Sequence, residues 1–171
     1  MTQHHLTKSN FKLGCDCPFK LTYYNAKYPS TLQDNEMLEF FAEGGFMVEA
    51  IAHAVMLHRN PAARFEETFT HGRYSARVDG WESDGKTATL TEIKAKSVES
   101  GDPAQFFGAN GEVLGNWRDY LLDITFQVMV ARAANPGLRI TPKLCMVNKN
   151  KPSNVEAIYA KINLLDDDSD R

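Results

Sequence analysis

Two carboxylates and a lysine stand close together in the run RVDGWESDGKTATLTEIKAKS, residues 77–97: Asp79, Glu92 and Lys94. Asp84-Gly85 is a strong signal for a two-residue hairpin loop. With those two as the loop, Ser83 pairs with Lys86, Trp81 faces Ala88, Asp79 faces Leu90 and Arg77 faces Glu92. Strand side chains alternate between faces, so Arg77 and Asp79 share a face with Glu92, Lys94 and Lys96. Asp79 and Glu92 become diagonal neighbours, roughly 7–8 Å apart at the backbone. Such carboxylates repel unless a cation sits between them, and Mg²⁺ or Mn²⁺ would suit oxygen ligands. Lys94 reaches the same spot, where it can orient an attacking water or stabilise charge growing on a phosphate. Removing either carboxylate is expected to relieve repulsion and leave the fold intact. The plainer reading is a solvated strand face with Arg77 and Glu92 as a cross-strand ion pair.

The elements around this hairpin supply further polar groups. Residues 35–58 predict a helix with Met37, Leu38, Phe41, Gly45, Val48, Ile51, Ala52 and Val55 on one apolar face. Glu49 flanks that stripe and points toward the sheet, with His53 one turn later. Residues 117–134 predict a second helix with Tyr120, Ile124, Val128 and Ala131 on one side. Gln127 falls on that core-facing side and needs a hydrogen-bond partner, with Asp123 one turn earlier. Residues 7–28 predict a short helix capped at Thr7 or Ser9 and broken near Cys17-Pro18. Strands are expected at 64–71, 73–82, 87–96, 139–148 and 155–164. Between the third strand and the second long helix lies a Gly-rich stretch, SVESGDPAQFFGANGEVLGN, too long for an ordinary connection. Phe106 and Phe107 within it are candidates to stack on an unpaired base, the loop then acting as a flap. The order is α-β-β-β-α-β, a mixed α/β class with a central mixed sheet flanked by helices.

The order of these residues resembles the P-D-(D/E)-x-K nuclease superfamily and is most similar to its RecB-like branch, here as a stand-alone nuclease domain. LTKSNFKLGCDCPFKL is similar to the opening segment with its Cys-Pro. SARVDGWE and ATLTEIKAKS are similar to the metal and lysine motifs, and YLLDITFQVMVAR to the following helix with its glutamine. The resemblance implies a restriction-endonuclease-like core over residues 6–148. It makes Asp79 and Glu92 metal ligands, the Ile93 carbonyl a third and Glu49 the first-helix acid of the metal shell. Lys94 becomes the catalytic lysine, helping to position or deprotonate the attacking water, and Gln127 the glutamine beside it. Tyr120, Phe106, Phe107, Lys96 and Arg77 are expected on the substrate side. The cofactor implied is Mg²⁺ or Mn²⁺. An iron–sulfur cluster, found in several members, is not expected, since Cys15, Cys17 and Cys145 cannot supply four cysteines.

The function expected is a metal-dependent DNA exonuclease acting in repair, recombination or processing. The alternative is a non-catalytic nucleic-acid-binding or scaffold module on the same fold. A second alternative is an unrelated small-molecule or protein-binding domain whose carboxylates are surface charge. The partner is DNA, with RNA open. No helicase motif is present, so unwinding would need a helicase or recombination partner protein. The 171 residues suggest one domain over 1–165 followed by an acidic tail, 166–171. The tail holds four Asp and one Arg, and without it the net charge of −3 rises to zero, so nucleic-acid contacts would be confined to one cleft. No run approaches the roughly 18 apolar residues of a membrane span, so no membrane association is expected. The odd cysteine count and the lack of a secretory signal lead to a cytoplasmic expectation.

Overall fold

The structure, a computed structural model, describes residues 5–28, 35–99 and 102–152. The expected strand at 155–164 and the acidic tail lie outside the described residues. The elements are α1 (Lys8–Asp16), α2 (Pro18–Asn25), α3 (Glu36–Arg59), β1 (Arg64–His71), β2 (Tyr74–Ser83), β3 (Thr87–Val98), a 3-10 turn (Pro103–Phe106), α4 (Gly115–Ala134) and β4 (Arg139–Asn148). They form the expected mixed α/β class, with a four-stranded sheet in the order β1-β2-β3-β4. β1, β2 and β3 are antiparallel neighbours; β3 and β4 are parallel, joined by the crossover that contains α4.

Local chemistry accounts for the helix ends. Thr7 caps α1, its hydroxyl accepting from the Asn10 amide at 3.4 Å. Pro18 cannot continue that helix but suits the first position of the next, so the chain restarts as α2. Asn35 caps α3 by accepting from the Met37 and Leu38 amides at 3.1 and 3.3 Å.

α4 covers one face of the sheet. Val78, Trp81, Ala88 and Leu90 meet Ile124, Val128 and Ala131 there, with Ile140 from β4. A second cluster joins Phe126 and Val130 of α4 to Ala76 of β2 and is covered by α1, where Phe11 stacks on Phe126 with ring centroids 5.0 Å apart. This second cover explains why α4 buries Phe126 and Val130 as well as the expected stripe. Burying a side chain such as Phe126 or Leu90 contributes about 1.5–3 kcal/mol.

α3 lies against the other face, with Met56 over Gly80 and Thr91. A Cβ on Gly80 would sit 2.7 Å from Met56 Cε, so the glycine permits this close approach. The apolar stripe expected along all of α3 meets the sheet only in its C-terminal half. Ala52 is its one buried residue among those described, whereas Met37, Phe40, Phe41, Phe46 and Met47 are exposed. The reason is length: 24 residues span roughly 36 Å, so the first turns outrun the sheet. α3 is also long and apolar enough, by length and composition, to cross a membrane, contrary to the expectation that no stretch reaches that measure. Its second half is nevertheless seated on the sheet and carries Glu49 and His53 into a polar cluster.

Candidate metal and phosphate site

The hairpin loop slides by one residue from its expected place. Asp84 N–H donates to the Thr87 carbonyl at 3.1 Å, leaving Gly85 and Lys86 as the loop. The Asp84 carboxylate fixes it, accepting from the Lys86 and Thr87 amides at 2.8 and 2.6 Å, and Gly85 supplies a φ of +85°. Ser83 therefore faces Ala88 and Trp81 faces Leu90, a register two residues from the expected one. An even shift keeps side chains on their faces. The β2–β3 ladder ends at Gly80 and Thr91, and its continuation sets Asp79 directly across from Glu92 rather than diagonally.

Strict alternation fails at this point. Val78 and Trp81, three residues apart, both join the core under α4. Glu66, opposite Asp79 in the β1–β2 register, adopts φ +55°, a left-handed conformation unfavourable for a residue with a Cβ. The common face expected for Arg77 and Glu92 is lost here. Arg77 is exposed and pairs with Glu66, its Nε 2.6 Å from Oε2.

Asp79 sits at this fork. Its Oδ2 accepts the Ile93 amide at 2.7 Å, and its carbonyl is 3.2 Å from His53 Nε2. Glu49, Glu66 and Asp79 each bring a carboxylate oxygen within 4.8 Å of the others, a spacing that suits one divalent cation. Burial, then the charge of Glu92, push the Asp79 carboxyl up to about 6. Two of these acids were expected; Glu66 was not, since nothing in an exposed strand position foretells a left-handed backbone.

Glu92 is fully buried behind the fork. Lys94 holds its Oε1, the Gln127 amide donates to Oε2, and Lys8 Nζ lies 3.0 and 3.3 Å from the two oxygens. Burial would raise its carboxyl, but Lys8, Lys94 and Gln127 outweigh that and hold it below the usual range. Lys94 also lies 3.4 Å from Asp123 Oδ2, which Lys12 approaches at 3.3 Å. Burial pulls the Lys94 ammonium down; Glu92, Asp123 and Asp79 outweigh it and keep its pKa above the ordinary value. Asp123 Oδ1 and Gln127 Oε1 are buried without a hydrogen-bond partner among the described residues. The expected Gln127–Glu92–Lys94 grouping is thus present, and α1 adds Lys8 and Lys12, which were not among the expected site residues.

The remaining candidates stand farther out. Lys96 lies over the Trp117 ring at 4.2 Å and the Tyr120 ring at 5.3 Å, donating to the Asn116 carbonyl at 3.1 Å. Tyr120 therefore belongs to this cation–aromatic stack at the start of α4. Phe106 packs edge-on against Trp117 with centroids 5.0 Å apart, whereas Phe107 is exposed. Ile93 is buried and pairs in register with Cys145. Cys15, Cys17 and Cys145 are free thiols, and burial pushes Cys145 up.

No protein-family model and no curated protein matches the chain. Among solved structures, the crystal structure of SSO0001 matches 94% of this chain and 74% of its own, with a TM-score of 0.54 at 12% identity. At that identity the likeness is one of fold: the helix-flanked mixed sheet is an arrangement this chain shares with a solved protein.

Proposed function

We propose that this chain is a Mg²⁺- or Mn²⁺-dependent deoxyribonuclease domain similar to the RecB-like branch of the P-D-(D/E)-x-K superfamily, hydrolysing phosphodiester bonds in DNA as a cytoplasmic protein. The observation that carries this reading is the contact of Lys94 and Gln127 with buried Glu92, across the strand fork from Asp79. Three separate elements converge on one carboxylate there, which a solvated strand face would not require.

The residues fit a divalent cation: Glu49, Glu66 and Asp79 present oxygens at ligand spacing, and Glu92 adjoins Asp79 closely enough to raise its pKa. Bound there, the cation would place positive charge against the phosphate and acidify water. The protein supplies the rest. Lys94, whose ammonium is favoured by Glu92, Asp123 and Asp79, is placed to donate to the phosphate or to position the attacking water. Gln127 and Asp123 orient Glu92 and Lys94 from α4. His53 and the Ile93 amide fix the Asp79 backbone and carboxylate.

The test is digestion of end-labelled linear DNA, circular DNA, single-stranded DNA and RNA, each with Mn²⁺, Mg²⁺ or EDTA. Cleavage of DNA that needs the cation and disappears in Lys94→Ala is the expected result. Absence of cleavage on every substrate, with nucleic-acid binding intact, would instead leave a scaffold module.

A further inference from the structure

Lys8 is in an unusual position for a lysine at the start of a helix. Its ammonium spans both oxygens of Glu92, and Lys94 already shares one of them. Lys8, Lys12 and Lys94 serve Glu92 and Asp123 directly, and the charges of Lys8 and Lys94 also reach Asp79, so three ammoniums face three acids. Beyond Asp79 the acids dominate. Glu49 and Glu66 gather with it, and among the described residues their ion-pair partners are Arg77, on Glu66, and His53, 3.7 Å from Glu49. A divalent cation drawn to those three acids would approach Glu92, where Lys8 is the obstacle.

Of the ammoniums there, Lys8 is the easiest to move. Lys94 is held by Glu92 and Asp123 together, whereas among the described residues Lys8 is paired with Glu92 alone. It also has somewhere to go. Between α1 and α4 lies a cavity of about 570 Å³ lined by Lys8, Lys12 and Arg118 together with Asp16, Asp119 and Asp123. Asp16 is already paired with Lys20, and Asp123 with Lys12 and Lys94. Arg118 makes no ion pair among the described residues. Asp119 offsets Arg118, so the lining is balanced as it stands and gains a net positive charge, suited to an anion, only when Lys8 leaves Glu92 and turns into the cavity.

We infer that Lys8 is a displaceable counterion: it competes with a divalent cation for Glu92 and, once displaced, turns into the α1–α4 cavity to bind a backbone phosphate of the nucleic acid with Lys12 and Arg118. The identity of that anion rests on the nuclease reading; the competition at Glu92 does not. The exchange brings two positive charges to the acids for the one that Lys8 carries to the phosphate.

Lys8→Met keeps the apolar stem and removes the charge. Calorimetric titration of Mn²⁺ without nucleic acid should show binding about five- to tenfold tighter than wild type, the size of one partly buried ion pair. With Ca²⁺ present and a phosphorothioate single strand as ligand, the same variant should bind more weakly, with a salt slope lower by about one. Lys12→Met should weaken the strand likewise but leave Mn²⁺ affinity unchanged, because Lys12 does not touch Glu92. Unaltered or weaker Mn²⁺ binding in Lys8→Met overturns the inference, as does an equal tightening in Lys12→Met. Unaltered strand affinity overturns its second half. The two readings fail separately. Tighter Mn²⁺ in Lys8→Met with no cleavage by wild type would uphold the competition and end the nuclease. Cleavage by wild type with unaltered Mn²⁺ affinity in Lys8→Met would do the reverse.

Discussion

Asp79 and Glu92 are carboxylates across one strand pair, and their surroundings push them in opposite directions. Burial, then Glu92, raise Asp79 to about 6 from an ordinary 3.8. A carboxyl with a higher pKa folded than unfolded binds more protons in the folded state. Its contribution to stability is complete below 3.8 and is lost as pH rises through about 6. Asp79→Asn should therefore melt higher than wild type at pH 7.5 and no higher below about pH 4. Thermal melts at both pH values check this, and a gain of equal size at both would contradict it. Mn²⁺ affinity of the wild type should also drop as pH falls below 6, because the ligand must first lose its proton. Glu92 behaves otherwise. Relief of repulsion was expected for both residues, but Glu92 is the acceptor for Lys8, Lys94 and Gln127. Glu92→Ala should destabilise by about 3 kcal/mol or more, since it strands buried donors and charge. Urea unfolding of Glu92→Ala beside Asp79→Ala would show whether the two part company as described.

At the scale of elements, the strained turn of β1 separates stability from function. Left-handed φ costs a residue with a Cβ about 1–2 kcal/mol, and the half-exposed Arg77 pair returns less than 1. Glu66→Gly should hold or raise the melting temperature while weakening Mn²⁺ binding several-fold; a fall in both would make Glu66 a structural residue. The long loop divides similarly. Phe106→Ala should lower the melting temperature by a few degrees because the ring packs on Trp117, and Phe107→Ala should leave it near wild type. Only Phe107 is then available to touch a base. A strand-binding titration with both variants decides whether it does.

For the whole molecule, periodicity and turn chemistry made most elements legible. The strands at 64–71 and 139–148 fall at their expected bounds, and the two long helices within a few residues of theirs. The Glu92, Lys94 and Gln127 grouping was legible because strand alternation along β3 and helix spacing along α4 are local, whereas Asp79 comes beside it through the altered register and the fork of β2 and β3. Three features were not. The loop slid because the Asp84 side chain bonds the Lys86 and Thr87 amides, a preference that the Asp-Gly pair alone does not reveal. Glu66 joined the acids through a backbone reversal. Lys8 and Lys12 reached the site through the packing of α1 on α4, which no local pattern encodes. The exposed first half of α3 was misread because its apolar spacing is the same whether or not a sheet lies beneath it. Phe41→Ser there should change stability by no more than about 0.5 kcal/mol, while Ile51→Ser, over the sheet, should cost visibly more. Chemical unfolding of the pair would test the boundary between seated and unseated turns.

The lysine contacts of α1 bridge 84 and 111 residues of chain, to Glu92 and Asp123. Closing such long spans is slow compared with forming a hairpin or a helix. While the protein is being synthesised, β2 and β3 emerge and can pair well before α4 exists, and in that interval Glu92 has neither Gln127 nor the α1–α4 packing to bury it. The chain therefore cannot acquire its cluster of acids and lysines until nearly all of the described fold has been made. A partly made chain would lack the assembled site, and its maturation would be the last step of folding. Pulsed amide exchange during refolding should accordingly find the β2–β3 hairpin amides protected early and those of α1, such as the Phe11 amide bonded to the Thr7 carbonyl, protected only in the final phase.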